Sequence, residues 1–368
     1  MEAGPPEIEK DVTSVGNNED TANVGDTNTW IIYTSIPVGI GAYTQFDITD
    51  TIASHLNYTD TLTVTLDDAD LVRDTGASFD FNKAGVDYFA TEPAVDSAGG
   101  TLSVQFTKAG LEKLAAAYAN GSLVGDAKLK ISFTTAINGT AISGQNIPNS
   151  ATLNYNNGHG VVDSDVPTTD PAVWTGGKHF DKLGVGAEAE GLAGAVFTLH
   201  TEEGGTAGEE MVWTQALLDL NADAIAAGKF ATTATGTASS ATNIPAVGTT
   251  IWLLSSADGS FEIQGLQGEQ VVADGVTVTH PGTYALHEVK APDGYVRILE
   301  PFSFTVTKTS YWTDPTTGTG AADPTTIQNK KVLIPQTGGI GSVLFVVAGL
   351  VIVTTAYTLK QKRREKDL

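Results

Sequence analysis

The side chains able to do chemistry are few, and their spacing excludes more than it offers. The chain has no cysteine, which removes thiolate nucleophiles, thiolate metal ligands and disulfides. Its histidines (His55, His159, His179, His200, His280, His287) never fall at an H-x-x-x-H spacing. Asp67-Asp68-Ala69-Asp70 lacks the glycine and distal glutamate of a calcium loop, and no phosphate-cradling glycine motif follows an apolar run. No metal, cofactor or catalytic triad is therefore expected. What remains is a set of lysine, carboxyl and carboxamide groups in phase with apolar residues. Alternate side chains of a strand share a face, so Phe180 goes with Lys182, Tyr284 and Leu286 with Glu288, and Ile327 with Asn329. Ile8, Lys10 and Val12 share a face in the same way, as do Phe46, Ile48, Asp50 and Ile52, and Ala151, Leu153, Tyr155 and Asn157. Asn149 has the parity of Asn157, whereas Asp47 faces away. Each set points an amine, an acid and a carboxamide into one apolar core. Burial lowers a lysine pKa and raises that of a carboxylic acid, which leaves a neutral, nucleophilic amine beside a protonated acid. A snorkelling lysine or an exposed glutamate is the usual fate of any one such residue taken alone.

The elements that carry these residues read as strands. The 368 residues suffice for two or three domains. Only 17% are charged and 40 are glycine, a strand-and-turn composition. The net charge of −23 opposes binding to phosphate backbones, so no nucleic-acid partner is expected. Alternation over Phe46, Ile48, Ile52 and over Leu62, Val64, Leu66 predicts half-buried strands, and Leu111, Leu114, Ala115 and Tyr118 predict a helix over Gly110–Asn120. In the second half, Leu192, Ala193, Ala195, Phe197 and Leu199 begin a similar pattern, Glu209–Lys229 reads as a helix, and Phe230–Thr249 as a small-residue insertion. The Pro/Thr/Asp-rich stretch around Val166-Pro167-Thr168-Thr169-Asp170-Pro171 reads as a linker. The expected architecture is mainly β: two tandem immunoglobulin-like β-sandwich domains, 1–162 and 177–332, joined by 163–176, and a C-terminal sorting segment, 333–368, with a transmembrane helix over 340–359.

The blocks Phe180-Asp181-Lys182, Leu192-Ala193-Gly194-Ala195-Val196-Phe197, Tyr284-Ala285-Leu286-His287-Glu288-Val289-Lys290-Ala291-Pro292-Asp293-Gly294-Tyr295 and Ile327-Gln328-Asn329-Lys330 resemble the collagen-adhesin B-type domain of Gram-positive pilins and adhesins. The resemblance implies an intramolecular isopeptide bond between Lys182 and Asn329, promoted by Glu288. The first half resembles the isopeptide-forming domain of backbone pilins, in which an aspartate replaces the glutamate. That likeness implies Lys10, Asp50 and Asn157, with Asn149 as the competing acceptor.

From Ile340 to Leu359 twenty residues carry no charge, and Lys360-Gln361-Lys362-Arg363-Arg364 follows. A helix of that length spans ~30 Å, the thickness of a bilayer core, and the basic tail would stay cytoplasmic. Just before it stands Ile334-Pro335-Gln336-Thr337-Gly338. Together they resemble the LPxTG cell-wall sorting signal of Gram-positive surface proteins, with Ile334 where leucine is commonest. The resemblance implies that a sortase cleaves Thr337–Gly338 and joins the threonine to an amine. It implies as partners a sortase, other pilin subunits, peptidoglycan and a host or matrix ligand. Met1-Glu2-Ala3-Gly4-Pro5-Pro6 has neither the basic start nor the apolar core of a signal peptide, and no Tyr-Pro-Lys occurs. The expectation is a chain lacking its native beginning and a polymerising N-terminal domain. The function expected is that of a non-enzymatic pilus subunit on the cell wall; the alternative is a wall-anchored monomeric adhesin or minor pilin with these domains as its stalk.

Overall fold

The computed structural model describes residues 5–119, 129–186, 190–270, 280–332 and 340–364. They divide into two compact units, Met1–Asn329 and Lys330–Leu368. The first half of the larger unit runs through β1 (Ile8–Val12), β2 (Glu19–Thr21), β3 (Thr27–Thr34), β4 (Gln45–Tyr58), β5 (Thr63–Leu66), β6 (Tyr88–Thr91), β7 (Ala98–Phe106), α1 (Lys108–Ala119), β8 (Leu129–Ile137), β9 (Ile147–Pro148), β10 (Ser150–Asn156) and β11 (Val162–Asp165). The sheet is ordered β1-β3-β8-β4-β7-β6, with β10 on the other edge of β4 and β11 beyond it. The long strand β4 binds the layers together. Its first half pairs with β10 and β7, while Leu56–Tyr58 reach β8. Phe46, Ile48, Ile52, Leu56 and Tyr58 are buried along it, and Asp50 is buried in the same row.

Helix α1 is capped by Thr107, whose hydroxyl accepts the Gly110 N–H, and it buries Leu111 and Leu114. Tyr118, expected on that face, lies largely exposed.

The second half runs through β12 (Ala172–Trp174), β13 (Gly176–Gly184), β14 (Val196–Glu203), α2 (Gln215–Leu220), α3 (Ala222–Ala226), β15 (Trp252–Leu254), β16 (Ser260–Leu266), β17 (Thr283–Lys290), β18 (Phe302–Thr305) and β19 (Thr325–Asn329). One sheet is ordered β16-β13-β19 and the facing one contains β15-β14-β17-β18. The single helix expected over Glu209–Lys229 is instead a strand, Thr206–Glu210, and two short helices. The Thr214 side chain caps the first helix, and Asn221 interrupts the pair by turning its amide onto the Leu217 and Gln264 carbonyls.

The Pro/Thr/Asp-rich stretch carries strand at both ends. β11 pairs with β10, and the apolar triplet Ala172-Val173-Trp174 inserts between β9 and β2. The buried apolar residues of both halves consequently form one contiguous cluster. In the smaller unit α4 (Ile340–Arg364) is a helix of 25 residues. Among the described residues no helix is long and apolar enough to cross a membrane. The pentapeptide Ile334, Pro335, Gln336, Thr337 and Gly338 lies outside the described residues.

Trp174 closes the contact between the halves by lying against Gly268, where a Cβ would meet the indole ring at 1.9 Å. A Gly268→Ala substitution should displace the ring and destabilise the chain by about 1–3 kcal/mol, seen as a lower thermal midpoint.

Candidate functional site: two buried clusters of lysine, acid and asparagine

The second half assembles its cluster from three strands. β13 and β19 run parallel with Lys182 opposite Ile327 and Gly184 opposite Asn329, so the Lys182 and Asn329 side chains approach each other on the inner face. β17 brings Glu288 from the facing sheet. Lys182, Glu288 and Asn329 are all buried. The Lys182 amine donates to Asn329 Oδ1 and to the Ile327 carbonyl at 3.1 Å, and lies 3.8 Å from Glu288 Oε1. Asn329 Nδ2 donates to both Glu288 oxygens at 2.9 Å and to the Val296 carbonyl at 3.0 Å. The Ile298 N–H fixes the carboxyl group from its other side at 2.6 Å. Burial lowers the Lys182 pKa to about 8 against the opposing pull of Glu288.

The first half repeats the arrangement. Lys10 on β1 and Asp50 on β4 are fully buried and 2.5 Å apart. Asn149, also fully buried, completes the set. With its oxygen toward the lysine it accepts from Lys10 Nζ at 2.9 Å, while its nitrogen donates to Asp50 Oδ1 at 2.9 Å and to the Thr51 carbonyl at 3.1 Å. Burial drives the Lys10 pKa down and the Asp50 pKa up, and in each case it outweighs the attraction between them. Both groups are thereby held toward their neutral forms.

Asn157 is not brought to this cluster. β10 runs antiparallel to β4 with Ala151 opposite Asp50, so the start of β10 lies beside the acid. Asn157 lies six residues further along, about 20 Å away at the usual strand rise. There its Oδ1 accepts the His159 and Val161 N–H groups in a turn. Asp47, set aside on parity, accepts from Gln45 away from the cluster.

Sequence reasoning missed the aromatic rings beside each amine. Lys10 Nζ lies 5.1 Å from the centre of the Trp30 ring and 5.7 Å from that of Phe133, and Lys182 Nζ lies 5.9 Å from Phe197. Phe197 belonged to a recognised core run, but only the fold aims it at a lysine. The aromatic contacts and the buried carbonyls hold each amine in apolar surroundings against a carboxamide. Such an arrangement suits condensation of amine and amide better than binding of a free ligand.

In a chain carrying Asn329→Ala, Lys182 keeps its amine. Between pH 8 and 10.5 the unfolded lysine holds a proton that the folded one has lost, so stability must rise with pH through that window. Urea unfolding of this variant at pH 7.5 and pH 10 should show the gain.

Two protein-family models match the chain: the prealbumin-like fold domain named SpaA over residues 182–318 and the LPXTG cell wall anchor motif over residues 326–367. No curated protein sequence matches it. Among solved structures, the 35 kDa C-terminal fragment of the major pilin GBS80 of Streptococcus agalactiae is 28% identical. Its TM-score is 0.70, over 89% of this chain and 100% of the fragment. The full-length major pilin RrgB of Streptococcus pneumoniae shares the fold at 21% identity and a TM-score of 0.57, over 90% of this chain and 75% of that one. The major pilin SpaD of Corynebacterium diphtheriae does so at 19% identity and a TM-score of 0.53, over 89% of this chain and 66% of that one. The anchor motif means covalent attachment at the surface of the Gram-positive wall. An LPXTG anchor motif, a SpaA prealbumin-like domain and the fold of the major pilins together make the chain similar to the sortase-assembled backbone pilins of Gram-positive bacteria.

Proposed function

We propose that the chain is a structural subunit of a covalently assembled surface pilus whose two sandwiches, 1–162 and 177–332, are each locked by a self-formed isopeptide bond, Lys10 to Asn149 and Lys182 to Asn329. The observation that carries the reading is that a lysine amine, a carboxyl group and an asparagine amide meet twice in buried cores. In each the neutral amine attacks the asparagine Cγ. The new Nζ–Cγ bond replaces the Cγ–Nδ2 bond, and the acid, Asp50 or Glu288, relays a proton from the attacking to the departing nitrogen. One ammonia leaves per bond. The reaction runs once and acts on the chain itself, so the protein is not an enzyme.

The uncharged stretch 340–359 and its basic tail would hold the precursor in the membrane until a sortase opens Thr337–Gly338; the LPXTG match over 326–367 supports this order of events. The freed threonyl group then passes to an amine of another subunit or of peptidoglycan. A host or matrix ligand would bind the assembled fibre.

Intact mass should be lower than the sequence mass by two ammonias. Asn149→Ala and Asp50→Ala should each restore one, as should Glu288→Ala, while Asn157→Ala should leave both losses in place. An Asn157→Ala chain that regains an ammonia would return the acceptor role to that residue. Thr337→Ala should leave the protein in the membrane fraction of sortase-competent cells, and its recovery from purified wall would contradict the anchoring step.

A further inference from the structure

The two proposed bonds do not meet end to end along the chain. Tension entering at the N-terminus would cross from Lys10 to Asn149, bypassing everything between them, and tension leaving at the C-terminus would cross from Lys182 to Asn329. The backbone from Asn149 to Lys182, 33 peptide steps, belongs to neither bypass. It holds β10, β11, the Pro/Thr/Asp-rich turn, β12 and the first six residues of β13.

In the folded chain this stretch is short-circuited by hydrogen bonds. Asn149 N–H donates to the Pro171 carbonyl at 3.0 Å, and Ile147 and Pro148 pair with Val173 and Ala172. On its other edge β12 pairs in parallel with β2. Ala172 N–H donates to the Asn18 carbonyl, Ala22 N–H donates to the Trp174 carbonyl at 3.1 Å, and Gly144 N–H donates to the Thr175 carbonyl at 2.6 Å. Every one of these partners lies between Lys10 and Asn149. β12 continues through Thr175 directly into β13, so a pull on β13 draws β12 along its own axis. Ladder bonds run across the strands, so those on both edges carry such a pull together, in shear. Direct bonds between the two bypassed segments share the load. Lys308 pairs with Glu19 at 2.6 Å, His280 with Asp20 at 2.9 Å, Gly268 N–H donates to Thr21 Oγ1 at 2.9 Å, and Gln267 N–H to Asn23 Oδ1 at 2.9 Å.

Beyond this joint, the first residues of β13 stay paired with β16 and β19, and β10 is held by its pairing with β4. Once β12 slips, tension reaches β10 from its far end and opens its pairing with β4 bond by bond. We infer that residues 150–175 are a stored length of chain, kept folded by the β2-β12-β9 joint and paid out under load while both sandwiches stay locked. The inference rests on the two bonds proposed above. It gives the shaft a second mechanical property besides stiffness, namely a defined and non-covalent yield point between covalently closed halves.

The test is to pull single full-length chains between cysteines placed at Pro5 and Lys330, which are unique because the sequence has none. The mass of the same preparation counts the bonds. With both ammonias lost, one lengthening of at most the 27 peptide steps from Asn149 to Gly176, roughly 90–100 Å, is expected. It should refold when the force is lowered. Trp174→Ala should speed release at constant force at least tenfold without changing its length. Glu19→Gln, a surface change that leaves both cores intact, should speed it as well, so the test stands if the tryptophan variant fails to fold. A doubly bonded chain that never lengthens before its handles break, or that lengthens by a different amount, overturns the inference. A chain that retains ammonia and gains the 139 steps between Lys10 and Asn149, or the 147 between Lys182 and Asn329, overturns the bonds instead.

Discussion

A lysine amine buried in an apolar core is the constraint on which the rest of the structure depends. Lys10 and Lys182 are among the largest fully buried side chains of the chain. An uncompensated charge in such a place costs several kcal/mol even after relaxation. Each lysine is met by one acid and one carboxamide and lies near aromatic rings, Trp30 and Phe133 for Lys10 and Phe197 for Lys182. A buried ion pair would be a poor use of these groups, since it often stabilises no more than apolar residues of the same size. The proposed condensation would remove the amine charge permanently and convert an expensive core into one closed by a covalent strut.

The placement of the struts follows from sheet topology. In the second half the bond would join the first strand of its sheet to the last, neighbours that run in parallel. In the first half it would join β1 to the residue just ahead of β10. That leaves β10, β11 and β12 downstream of the strut and makes the seam between the halves a mechanical element in its own right. The seam is built accordingly: an apolar triplet ending in a buried tryptophan, the Lys308–Glu19 ion pair beside it, and a glycine that gives the indole room. On this proposal, stiffness within each sandwich and compliance between them would arise from one pattern of pairing.

Much of this was legible in the sequence because strand parity is a strong rule. The alternation around Lys10, Asp50, Lys182, Glu288 and Asn329 assigned each to an inner face, and the fold puts each of them there. Parity has period two and carries no register, so Asn149 and Asn157 were equivalent on that ground. What separates them is the pairing of Ala151 with Asp50, a long-range fact that no local pattern contains. The helix expected over Glu209–Lys229 failed for a related reason. Small and polar residues around Thr214 and Asn221 suit caps as well as helix interiors, and tertiary hydrogen bonds to β16 chose the caps. The apolar triplet Ala172–Trp174 was hidden in a stretch whose prolines and threonines announce a loop.

The central claim is that two pairs of side chains are one covalent structure each, and electron density tests it most directly. A crystal structure at atomic resolution should show unbroken density from Lys10 Nζ to Asn149 Cγ and from Lys182 Nζ to Asn329 Cγ. Each link should be planar and about 1.33 Å long, as an amide requires. Separate maxima at hydrogen-bonding distance, with an intact carboxamide nitrogen still resting on Asp50 and Glu288, would contradict it.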